Sequence, residues 1–233
     1  MKHLLSIFIL LTLFSCGKIS PKGTIESRDV KVADFVNLDL KGNFRIFYIK
    51  GDSSFINIET YGNIADNLKI KVTDKTLSIT EKRPTKDVDF YNITLYSKFP
   101  LEKISLTDAA EMNISSEIKT DHFTLDLKKN AKFIGSVNSR RADVEMSGKS
   151  RANFRGDTKK AFVKVSDTAS LIAPYWLIGD LQINASNGTY AEVNVKDSLK
   201  GAVKSTAEFV YYSDPIRAFK IEKTATVENR ELE

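Results

Sequence analysis

Asp126 and Glu145 stand 19 residues apart in a chain of 233 residues. If the chain coils with a repeat near that length, their carboxylates lie about 5 Å apart, near the separation of a retaining glycosidase pair. Lys164 follows at the next equivalent position, so the same column also reads as an exposed ladder of opposite charges. Arg140, Arg141, Arg151 and Arg155 form a second group, with Asp143, Glu145 and Asp157 interleaved. Guanidinium forks suit carboxylate, sulfate and phosphate, which makes these arginines candidates for an acidic glycan or a lipid headgroup. The aromatic pairs Tyr175-Trp176 and Tyr211-Tyr212 offer either a sugar-stacking platform or buried packing. These eight residues, Arg140, Arg141, Arg151, Arg155, Tyr175, Trp176, Tyr211 and Tyr212, form the candidate ligand surface.

Other chemistry has few carriers. After an export signal the chain keeps one histidine, His122, beside Asp121, and no cysteine beyond Cys16. A histidine-dependent triad or a zinc site lacks ligands at any recognisable spacing. There is no phosphate-cradling glycine loop and no dinucleotide fingerprint. No catalytic residue, metal or cofactor is assigned. A formal charge of +5 at pH 7 permits contact with anionic surfaces, but no concentrated basic stripe marks a nucleic-acid partner.

Residues 1–15 read as an export signal: Lys2 and His3, an apolar run from Leu4 to Phe14, then Ser15 before Cys16. The run is too short to cross a bilayer. Leu13-Phe14-Ser15-Cys16 resembles the lipobox of bacterial lipoproteins, which implies acylation of Cys16, cleavage before it, and a membrane partner; an ordinary secretory signal is the alternative. Residues 16–23 are then a lipidated tether. Gly17 to Lys22 lack an acidic run, which favours an outer-membrane lipoprotein facing the periplasm over one on the surface. With one cysteine, no internal disulfide forms.

What would position these side chains is a repeat. Leu106, Leu127, Met146, Val165, Ala185, Val203 and Ile221 are spaced by 21, 19, 19, 20, 18 and 18 residues. Two residues before each stand Ile104, Leu125, Val144, Val163, Ile183, Gly201 and Phe219, the alternation of a half-buried strand. Four residues after each come Ala110, Ala131, Ser150, Ala169, Thr189, Ala207 and Ala225, and two further on Met112, Phe133, Ala152, Leu171, Ala191, Phe209 and Val227. Each unit therefore reads as a strand, a polar corner such as Ser166-Asp167-Thr168, and a second strand entered through a site that admits only a small side chain. A unit this short cannot bury its own inner face and must stack on its neighbours. The predicted fold is all-β, a right-handed parallel β-helix (β-solenoid) with about 18–21 residues per coil; an antiparallel sandwich is the competing arrangement. Residues 24–233 form one domain, in which 24–100 supply irregular first coils and a cap and 101–230 the regular coils.

The corners Asp108-Ala109-Ala110, Lys129-Asn130-Ala131, Gly148-Lys149-Ser150, Thr168-Ala169-Ser170 and Ser205-Thr206-Ala207, with the late run Tyr212-Ser213-Asp214-Pro215, resemble the head GIN domain family of autotransporter adhesins. That family reads Ser-Gly-Ala at such corners and closes on Tyr-x-Gly-x-Pro, so most of its corner glycines are replaced here. The resemblance implies a parallel β-helix in an envelope lipoprotein of Bacteroidetes type. It points to a non-catalytic adhesion, binding or scaffold module with a glycan or envelope protein as partner. A polysaccharide-active enzyme of the pectinase or lyase kind, or an acidic-glycan-binding protein, is the alternative.

Overall fold

The computed structural model describes residues 17–232; the segment expected as an export signal, and Cys16, lie outside the described residues. The described residues form sixteen strands and the short helix α1 (Gly62–Ala65). Five strands carry the regular coils: β9 (Glu111–Leu127), β10 (Lys132–Met146), β11 (Arg151–Val165), β12 (Ser170–Ala185) and β13 (Tyr190–Val203). Each pairs in parallel with the next.

Each long strand travels around the coil. The start of β9 lies against β3 (Arg45–Lys50), with Glu111 opposite Arg45, while its end lies against β8 (Lys103–Asp108), with Leu127 opposite Leu106. The result is a β-solenoid with two sheet faces. The first face runs β7 (Tyr91–Ser97), β3, the first halves of β9 to β13, β14 (Glu208–Tyr212) and β16 (Thr226–Arg230). The second runs β6 (Thr76–Glu81), β2 (Asn37–Gly42), β8, the second halves of β9 to β13, and β15 (Ile216–Ile221).

The repeat read from the sequence is the ladder itself. Leu106, Leu127, Met146, Val165, Ala185, Val203 and Ile221 are successive cross-strand partners, and the column continues through Leu40 to Ile79 at the amino-terminal end. All but Ile221 are buried. The small-residue column is equally enclosed from Ala110 to Ala207. Parallel stacking puts every coil's apolar residue on the previous one, so burial comes from neighbouring coils rather than from within a coil.

The corners share a conformation that composition conceals. Asp108, Lys129, Gly148, Asp167, Asn187 and Ser205, each two residues after its column residue, all have φ between 55° and 72°. Glycine occupies this left-handed site once. Asp and Asn tolerate it through local hydrogen bonding, which explains how the corners survive without the glycines of the family pattern. Their amides also bond from coil to coil, Asn130 N to Asp108 O at 2.8 Å and Thr168 N to Gly148 O at 3.0 Å.

At the amino-terminal end the chain order and the spatial order diverge. The coil formed by β6 and β7 lies outside the coil formed by β2 and β3, although it comes later in sequence. Antiparallel strands then close this end. β4 (Phe55–Tyr61) pairs with β7, β1 (Ile25–Lys31) pairs with β4, and β5 (Leu68–Thr73) pairs with β6. The outermost strand β1 is mostly exposed and carries Glu26, Arg28, Asp29 and Lys31, charges that discourage pairing with another chain.

Within the segment expected as a lipidated tether, Ile19, Ser20 and Lys22 are held against the fold. Ile19 N–H donates to Pro84 O and Ile19 O accepts from Lys86 N–H, both at 2.9 Å. The Asn63 side chain donates to Ser20 O and accepts from Lys22 N–H, also at 2.9 Å.

Candidate ligand-binding surface

The four arginines do not form one cluster. Arg151 and Arg155 project from the first face, on β11. Arg140 and Arg141 follow the bend of β10, and Arg141 belongs to the second face, opposite His122 and Lys160. The bend divides the group because the positions are close in sequence but lie on either side of a coil edge.

On the second face the charges satisfy one another. Asp143 accepts from the Arg141 guanidinium at 2.9 to 3.3 Å and is bonded to His122 Nε2. Arg141 also lies 4.4 Å over the Phe162 ring. Partial burial pushes the Asp143 carboxyl up, but the hydrogen bonds from Arg141 and His122 outweigh it and hold the group below its ordinary range. Arg140 is 3.8 Å from Asp121. These two arginines are therefore internally paired.

Asp126 and Glu145 are direct cross-strand partners, and with Asp143, Phe162, Lys164 and Asn184 they line a shallow trough of about 320 Å³. Each carboxylate holds a lysine: Lys128 lies 2.9 Å from Asp126 and Lys164 lies 2.7 Å from Glu145. The Glu145 partnership raises the Lys164 ammonium pKa, and the Asp126 partnership does the same for Lys128. The column is a charge ladder set in a trough.

The first face is different. Arg151 and Arg155 make no ion pair among the described residues, and both are exposed. Arg155 stands opposite Tyr175 on the next coil, and Tyr175 is 69% exposed. Ile134, Ile172 and Leu177, also exposed, complete a flat amphipathic patch. Ile134 and Ile172 could have been found from the sequence, since each follows an inward residue of the period-two register; Leu177 could not, because the register shift before Tyr175 reverses its side.

Three of the four expected surface aromatics are inside or nearly so. Trp176 is fully buried; it stacks on Phe154 and donates its indole N–H to Thr158 Oγ1 at 2.9 Å. The register shift against β11 between Ile172 and Tyr175 causes this: one extra residue on β12 lets Tyr175 point out while Trp176 points in. Tyr211 and Tyr212 are 3% and 8% exposed. Phe219 packs edge-on against Tyr211, whose hydroxyl accepts from Arg217 at 3.0 Å. The Tyr212 hydroxyl donates to Glu192 at 2.5 Å, and that contact together with burial pushes the phenol up to about 12. These residues close the last coils and are removed from the candidate surface.

Among the described residues no group of three or more potential ligands could hold a metal ion. His122 is engaged by Asp143 of the next coil.

Solved structures share this architecture. A putative adhesin from Bacteroides fragilis superposes with a TM-score of 0.86 at 19% identity, covering 91% of this chain and 100% of that one. A putative adhesin from Parabacteroides distasonis gives a TM-score of 0.72 at 18% identity over 92% and 100%. A protein described as a putative lipid binding protein, from the same species, gives 0.68 at 16% identity over 93% and 100%. At these identities the likeness concerns the fold alone. Comparison with curated proteins gave no match. The profile of the family described as "Putative auto-transporter adhesin, head GIN domain" matches residues 34–215, which span the amino-terminal coils, the regular coils and the unpaired arginine face; the chain belongs to that family, whose name supports an adhesion-type role.

Proposed function

We propose that the chain is a non-catalytic adhesion or binding module of the cell envelope, anchored by acyl chains on Cys16 in the outer membrane, periplasm-facing, with an acidic glycan as its ligand. One observation carries the reading of the ligand. Arg151 and Arg155 are exposed without carboxylate partners beside the exposed ring of Tyr175, whereas Arg140 and Arg141 are paired. Guanidinium forks can then meet uronate or sulfate groups while the phenol stacks on a sugar ring. A flat sheet suits an extended polymer better than a small molecule, which calls for an enclosed pocket.

The test is retention on immobilised pectin and chondroitin sulfate against neutral dextran, with released reducing ends assayed on the same samples. Saturable retention on the acidic polymers, lost in the Arg151→Ala/Arg155→Ala and Tyr175→Ala variants, is expected, without product. Equal retention of parent and variants would sink the assignment of this face.

A second reading is supported by the trough that holds Asp126 and Glu145 on adjacent strands. Released sugar ends that vanish in the Asp126→Asn/Glu145→Gln variant would replace the binding reading with a hydrolytic or lyase one.

A further inference from the structure

The held amino-terminal segment places the proposed anchor beside a basic groove. Gly17, the residue bonded to Cys16, leads through Lys18 to Ile19, and the backbone of Ile19 is bonded on both sides to the 84–86 connection between β6 and β7. Between that connection and the corners of the next coils runs a groove of about 540 Å³, lined among others by Lys18, Lys41, Lys82 and Lys129. Two acids share it, Glu81 and Asp108. Asp108 is held by Lys129 at 2.6 Å, and Glu81 accepts from Thr85 Oγ1 at 2.9 Å. Lys82 Nζ donates to Asp66 O at 2.8 Å, a neutral carbonyl that leaves its charge uncancelled. Lys18 and Lys41 are exposed and make no ion pair among the described residues. The groove therefore presents more positive than negative charge within a few residues of the acylation position.

We infer that this groove docks on phosphate-bearing lipid headgroups of the membrane that holds Cys16, seating the capped end of the solenoid on the bilayer and pointing the coils away from it. The inference rests on acylation at Cys16. Covalent length alone keeps Cys16 within about 11 Å of Ile19, so an acyl chain in the bilayer brings the groove to headgroup depth. Lysines near an anionic surface are attracted within about a Debye length. Lys200, on β13, is six strand spacings from Lys41 on β2, roughly 29 Å at about 4.8 Å per strand, and lies beyond that range. A seated end also leaves the first face, with Arg155 and Tyr175, clear of the membrane.

The experiment uses the full chain, including its export signal, produced in a Gram-negative host and reconstituted into phosphatidylcholine vesicles with or without phosphatidylglycerol. Lysines are acetylated with a membrane-impermeant reagent and quantified residue by residue, and intact mass reports whether Cys16 is acylated. Labelling of Lys18, Lys41 and Lys82 should fall about five-fold on anionic vesicles, the ratio that ~1 kcal/mol per lysine corresponds to. Lys200 should be unchanged, and high salt should abolish the difference. In the Lys41→Glu/Lys82→Glu variant the protection of Lys18 should disappear. An acylated chain labelled equally on both vesicles overturns the docking and leaves the anchor standing. An unacylated chain that still floats with anionic vesicles alone keeps the groove and removes the anchor, and one that floats with neither removes both.

Discussion

Trp176 stacks on Phe154 inside the solenoid, ring centroids 4.7 Å apart and planes 19° from parallel. Phe133 continues the interior stack at 5.1 Å from Phe154, and the cross-strand partner of Trp176 is Gly156, where a Cβ would stand 2.4 Å from the carbonyl oxygen of Val137. Thr158 joins this stack to the coil before it, accepting the indole N–H and bonding with Ser139 at 3.0 Å. Truncating an aromatic in such a place removes its transfer energy and leaves a cavity. Trp176→Ala should cost about 3–5 kcal/mol, the usual range for buried aromatics, read as a lowered urea midpoint. Trp176→Phe should cost less. Because this is the only tryptophan, its emission should be blue-shifted in the native protein and move to the red through the same transition. A native spectrum typical of exposed indole would contradict its placement.

Backbone approach sets a second expectation. Gly201 has φ +123°, and a Cβ there would stand 1.8 Å from the carbonyl oxygen of Ile183 on the preceding coil. Gly201→Ala should therefore destabilise by at least ~2 kcal/mol, through strain that the ladder cannot relieve without breaking a pair. Gly188 provides the control, since a Cβ there meets nothing closer than 3.6 Å and its φ is not in the left-handed region. Gly188→Ala should be neutral or stabilise by about 0.4–1 kcal/mol. Equal effects in thermal denaturation would contradict the close approach at Gly201.

The columns from Leu106 to Ile221 and from Ala110 to Ala225 were legible because a parallel coil stacks equivalent residues, so one spacing determines the whole ladder. The strand-like runs before residue 100 were legible too, since alternation is local. Their order was not. That β6 and β7 lie outside β2 and β3 depends on long-range pairing, and Leu77 and Leu38 look alike to any local pattern. Tyr175 and Trp176 show the same limit at a single site, where one extra residue exchanges inside and outside. The arginines failed differently: their sequence proximity was real, but the bend after Ser139 put two on one face and two around the edge. The groove beside Ile19 escaped notice because its lysines come from four separate segments.

Acid should reveal the Asp143 contacts. Burial pushes this carboxyl up, yet Arg141 and His122 bring it below its usual range in the folded protein. A depressed folded pKa means that the unfolded chain binds the proton more readily. The contribution is therefore present above the unfolded value of about 3.9 and is lost as pH falls below it toward the folded value. Both Arg141 and Asp143 reach solvent, so the magnitude should stay below ~1 kcal/mol. The stability gap between parent and Asp143→Asn, from urea midpoints, should be visible near pH 6, about two units above that pKa, and close between about pH 4 and pH 2. A gap independent of pH would assign the effect to packing instead.

Two members of the small-residue column carry hydroxyls that the column does not use. Ser150 is fully buried and Thr189 is 2% exposed, and neither hydroxyl has a hydrogen-bond partner among the described residues. Elsewhere the same position is alanine, at Ala131 and Ala169 on the coils either side of Ser150. Leaving a hydroxyl desolvated and unpaired costs roughly 1–3 kcal/mol, and alanine keeps the Cβ that fills the corner. Ser150→Ala should raise the denaturation midpoint by an amount worth about 1 kcal/mol. Thr189→Ala should gain less, because it also removes a methyl group that packs. Enlarging the site has the opposite sign: Ala169→Val adds volume where the neighbouring corners close on it, at a cost of about 1–3 kcal/mol. A destabilised Ser150→Ala variant would mean that the hydroxyl has a bonding partner, and the corner would then be a hydrated site and not a dry one.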